Sequence, residues 1–70
     1  MINIENQMAN AVLFSINSKN KEKIKDSYFK YLDYVEALGK EKNIDLLIQV
    51  NNRYVEYQVE EVKRERLNVR

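Results

Sequence analysis

The side chains that could do chemistry here are few. The 70-residue chain has no His, Cys or Thr, so a nucleophile and its base would have to come from Ser15, Ser18, Ser27, lysines and carboxylates. Glu60-Glu61 is the single adjacent pair of acids. Such a pair does acid–base work only when burial or a neighbouring charge moves one pKa, and this one lies in a charged run that reads as solvated surface. Gly39 is the only glycine, which leaves no loop to cradle a phosphate. Asp45, Glu56, Glu60 and Glu61 could offer oxygens to a hard cation, but their spacing is not that of a calcium loop. Without His or Cys, zinc, iron–sulfur and haem sites lose their usual ligands. The residues therefore point to no enzyme, no metal and no cofactor.

Binding is the chemistry that remains. Five tyrosines and two phenylalanines are more aromatic surface than a small core needs. Tyr28, Tyr31 and Tyr57 fit core positions. Phe29, Tyr34 and Tyr54 do not, nor does Phe14, and with Leu47 they suggest an apolar patch for a protein partner. The set expected to bind that partner is Phe29, Tyr34, Leu47 and Tyr54. A second reading uses basic residues on nucleic acid: Lys21 and Lys23, with Arg64 and Arg66 near the C-terminus. It is the weaker one, because acids interrupt each basic run and the net charge is only +1.

These residues need elements to hold them. Residues 4–17 read as a helix capped by Asn3, with Ile4, Met8, Ala11, Val12 and Ile16 on one face, although 11–16 alone would also suit a short strand. Met8, Val12, Leu13 and Ile16 are the expected self-association surface, since a helix apolar on more than one side has more than one neighbour. Residues 20–38 give the clearest helix, with Asn20 as cap, Gly39 as stop, and a stripe of Ile24, Tyr28, Tyr31, Leu32, Val35 and Leu38.

From Ile44 to Val59 the pattern alternates. Strands 44–50 and 54–59 pair as a hairpin closed by Asn51-Asn52, with Ile44, Leu46, Ile48, Val50, Val55, Tyr57 and Val59 on one sheltered face. Residues 60–70 follow as a short helix or strand, a bulge at Glu60-Glu61 allowing the strand to continue. The expected fold is therefore one α+β domain, α-α-β-β plus a C-terminal element, with the hairpin lying on the tyrosine-bearing helix.

Seventy residues without disulfides or metal ligands are near the lower limit for an independent core, which favours a homo-oligomer. No run approaches a membrane span, the N-terminus lacks the basic start of a secretory signal, and cysteine is absent, as suits the cytoplasm. The expectation is a small cytosolic protein-binding module, an inhibitor or adaptor, acting as a homodimer on a larger protein, with no membrane role.

Overall fold

Three asparagines, each just ahead of an apolar-periodic run, start the three long helices among the described residues of this protein. In the computed structural model, which describes residues 3–68, α1 spans Ile4–Ser18, α2 Lys21–Leu38 and α3 Ile44–Asn68, with a 3-10 turn at Gly39–Glu41 between the last two. Asn3 Oδ1 accepts from the amide of Asn6 at 3.2 Å, Asn20 Oδ1 from Lys23 at 3.3 Å and Asn43 Oδ1 from Leu46 at 3.1 Å. Each cap satisfies one amide that the first helical turn leaves without a partner.

Two residues with positive φ make the turns. Lys19 (φ 58°, ψ 31°) ends α1, its amide donating to Ile16 O at 3.1 Å while that of Asn20 donates to Ser15 O at 3.3 Å. Gly39 (φ 58°, ψ −120°) ends α2 in a region closed to residues with a Cβ. The chain thus reverses after α1 and again after α2. α1 and α3 run parallel, Glu5 meeting Asn43 at one end and Asn17 meeting Arg53 further along. α2 runs antiparallel to both.

The core is small and lies where the three helices meet: Ala9, Val12 and Ile16 from α1, Ile24, Tyr31 and Val35 from α2, and Val50 from α3. Met8, Tyr28, Leu32, Leu46, Leu47, Tyr54 and Tyr57 pack around it. α1 lies close against α2 and α3, whereas the Cα atoms of α2 and α3 stay more than 8 Å apart among the described residues. Tyrosines span that gap. The Tyr28 ring stacks on Tyr54 at 3.8 Å between centroids with 12° between planes, and its hydroxyl donates to Asn51 Oδ1 at 2.6 Å.

The α+β expectation is overturned, and with it the β-hairpin. Residues 44–59 form no strands, Asn51-Asn52 makes no turn, and Glu60-Glu61 carries no bulge, because all of them lie within the continuous helix α3. The reason lies in counting two stripes as one. At about 100° per residue, Leu46, Leu47, Val50, Tyr54 and Tyr57 share one face of a helix, and Ile44, Ile48, Val55, Val59 and Val62 share another, roughly opposite. Interleaved along the chain, the two stripes alternate with period two and imitate a strand. Asn-Asn without glycine is also a weaker turn signal than Asn-Gly. The helix wins because it satisfies its own backbone hydrogen bonds, whereas a lone two-stranded hairpin is marginal in water.

The molecule measures 50 × 19 × 15 Å. α3, at 25 residues, accounts for much of its length, and residues 62–66 are all exposed. Among the described residues no helix is long and apolar enough to cross a membrane.

Candidate functional site

α3 presents two apolar faces, and only one of them is covered. On the inner face Val50 is fully buried, and Leu46, Leu47, Tyr54 and Tyr57 are half-buried against the core. On the outer face Ile44, Ile48, Val55, Val59 and Val62 remain 47–57% exposed. They line up along most of a helix of roughly 37 Å, at 1.5 Å per residue, with Asn51 and Asn52 at the level between Ile48 and Val55. Helix propensity does not explain it. A solvated helix surface is better served by Ala, Lys or Glu, and β-branched residues cost up to about 0.7 kcal/mol each relative to Ala.

The stripe has a charged edge. Roughly 100° round the helix from Ile44 lie Asp45 near its start, Glu56 at its middle and Lys63 in its C-terminal half, while Arg66 lies in line with the stripe, one turn beyond Val62. Asp45, Lys63 and Arg66 are exposed and, among the described residues, form no ion pair. Glu56 lies 3.4 Å from Arg53 on its own helix. The other edge of the stripe is uncharged over Asn51 and Gln58.

The residues expected to bind a protein partner do not form one surface. Phe29 is exposed, but Tyr34 and Leu47 are half-buried, Leu47 against the core, and Tyr54 is stacked under Tyr28. In the set expected for self-association, Val12 and Ile16 are inside the core, Met8 packs against it, and Leu13 is half-buried. Of the basic set, Lys21 bridges to Glu61 at 3.3 Å and Arg64 approaches the same carboxylate at 3.7 Å, while Lys23 and Arg66 are exposed. Counting α3 as a hairpin hid the outer stripe, because four of its five residues were assigned to the sheltered face of a sheet. Counting from Asn43 at helical period through Val62 finds it.

Other groups are already engaged. Ser15 Oγ donates to Ala11 O at 2.8 Å and Ser27 Oγ to Lys23 O at 2.6 Å, each returning its proton to its own helix. The carboxylate of Glu61 faces Lys21 and Arg64 rather than Glu60. The described residues contain no cluster of three or more metal-ligating side chains. An open groove of about 360 Å³ between the start of α2 and the second half of α3 is lined by Lys21, Lys25, Tyr54, Tyr57, Glu61 and Glu65, of mixed charge.

Two phenols are perturbed. Burial, and then the neighbouring Tyr54, raises the pKa of Tyr28. Burial, then Glu5 and Tyr28, raises that of Tyr31, whose hydroxyl is enclosed without a hydrogen-bond partner. Both shifts disfavour tyrosinate, and burial is the larger cause in each. Comparison with protein-family models, curated proteins and solved structures gives no match for this chain.

Proposed function

We propose that the protein is a non-enzymatic cytosolic protein-binding module, an inhibitor or adaptor that acts by occupying a macromolecular surface, with the outer face of α3 as a protein-binding face. One observation carries the reading: Ile44, Ile48, Val55, Val59 and Val62 form an uncovered apolar stripe on a helix whose opposite face already builds the core. Such a stripe amounts to roughly 400 Å², within the roughly 300–600 Å² of a monomer's largest apolar patch, which is often functional. Its straight, narrow shape and i, i+4, i+11 spacing suit a helix laid alongside.

The test places a photo-crosslinking amino acid at position 55, and in a second variant at Lys30, an exposed position on the outer side of α2. Irradiation in the producing cells should give a polypeptide adduct from position 55 and none from position 30. No adduct at 55, equal adducts at both, or an adduct that nuclease removes would overturn the reading.

A further inference from the structure

The geometry points to a second copy of this chain as the occupant of the α3 stripe, paired antiparallel to it, so that two three-helix units join through α3 about a two-fold axis. This rests on the reading that the stripe is a protein-binding face, and it names what covers that face; the module then acts on its larger partner as a homodimer.

Three observations select this occupant. The first is charge. In an antiparallel pair related by a two-fold axis, an edge of one helix faces the same edge of the other, reversed. The edge carries Asp45 near its start and Lys63 near its end, and Arg66 closes the stripe beside it, so each Asp45 meets Lys63 and Arg66 of the second copy, and the contact occurs twice. Glu56, near the axis, is paired with Arg53 of its own helix at 3.4 Å. A parallel pair would instead set this edge against the Asn51 and Gln58 edge, leaving Asp45 without a cation. The second is fit. With Asp45 level with the second copy's Lys63, Ile48 lies between the second copy's Val59 and Val62, and the two Val55 side chains meet near the axis. Apolar knobs then fall into gaps rather than onto one another. The third is area. One stripe of roughly 400 Å² on each copy, flanked by polar residues on both sides, supplies the apolar centre of an interface whose standard size is roughly 800 Å² per partner. A chain whose described residues give a core of seven buried apolar side chains gains most from such pairing.

The experiment uses the full chain, purified. Sedimentation should show a reversible dimer within a range reaching about 100 µM, and Val55→Lys should weaken it by about tenfold or more with unchanged helicity. The exposed position of Val55 makes misfolding avoidable, and circular dichroism checks it. Asp45→Lys and Lys63→Glu should each weaken the dimer by about threefold to tenfold at low salt, and the two together should restore it. Because the chain has no cysteine, orientation can be read by oxidation. A mixture of Ile48→Cys and Val62→Cys chains should form disulfide-linked dimers, while Ile48→Cys alone should not. A wild-type monomer throughout that range, a dimer indifferent to Val55→Lys, no rescue by the double charge reversal, or self-linking of Ile48→Cys would overturn the proposal. A monomer whose position 55 still crosslinks to a different polypeptide in cells would overturn the self-pairing alone and leave the binding face standing.

Discussion

Glu5 Oε2 accepts the backbone amide of Asn43 at 2.7 Å across 38 residues of sequence, which ties the first turn of α1 to the start of α3. Glu5 is only 8% exposed, so most of its carboxylate is taken from water to serve this bond. Asn43 in turn caps α3 through its own side chain. Replacing Glu5 with Ala should therefore leave an amide unpaired and cost about 1–3 kcal/mol of stability, readable by urea denaturation. The control is Glu22→Ala, an exposed acid in the first turn of α2, with a change of less than about 1 kcal/mol.

Tyr31 offers the opposite change. Its ring fills the centre of the core, but its hydroxyl finds no acceptor or donor. Tyr31→Phe keeps the ring and removes the orphaned group, so stability at neutral pH should rise, by about 1 kcal/mol. Tyr31→Ala should instead cost about 3–5 kcal/mol through the cavity it leaves.

The same phenols set an alkaline limit. Folding raises the pKa of Tyr28 and Tyr31 above the ordinary 10.0, so the unfolded chain loses these protons first as pH climbs. Their contribution is intact below pH 10 and falls away as pH rises through the folded-state values. Denaturation midpoints measured from pH 8 to about pH 11.5 should be flat at first and then decline. The decline should be shallower in Tyr31→Phe.

Backbone conformation gives a pair of opposed predictions. A Cβ on Gly39 would meet no atom within 4 Å, yet φ 58° with ψ −120° is closed to alanine, so Gly39→Ala should cost about 1–3 kcal/mol despite the open space. Lys19 occupies the left-handed position where helices usually end in glycine. Lys19→Gly should raise the thermal midpoint, by an amount corresponding to about 0.5–1 kcal/mol.

α1 and α2 are legible in the sequence because their signals agree: Asn3 and Asn20 as caps, apolar residues at helical period, and Gly39 as a stop. α3 is not, and its misreading has a particular cause. Leu46 and Val50 belong to the core while Ile48 between them belongs to the outer face, and further on Tyr57 faces the core while Val55 and Val59 face out. Each group obeys the helical period, but their sum does not. A single-stripe helix would have been found, as α2 was. The expected aromatic patch is dispersed for a related reason: a hairpin puts Tyr54 and Leu47 on its outside, whereas in α3 both pack against the core, Tyr54 stacked on Tyr28. The buried Glu5 is invisible to any local reading, because its partner is a main-chain amide 38 positions away.

The double-striped character of α3 has one more consequence, for the chain once that helix unwinds. The run IDLLIQV is rich in β-branched and aliphatic residues, lacks proline and carries one charge, which is the composition of segments that stack into cross-β fibrils. Coiled into α3, its main-chain amides and carbonyls are occupied and its alternation is hidden. Prolonged heating near the thermal midpoint should therefore yield thioflavin-positive fibrils seeded from Ile44–Val50, and a proline at Ile48 should suppress them even though it breaks the native helix.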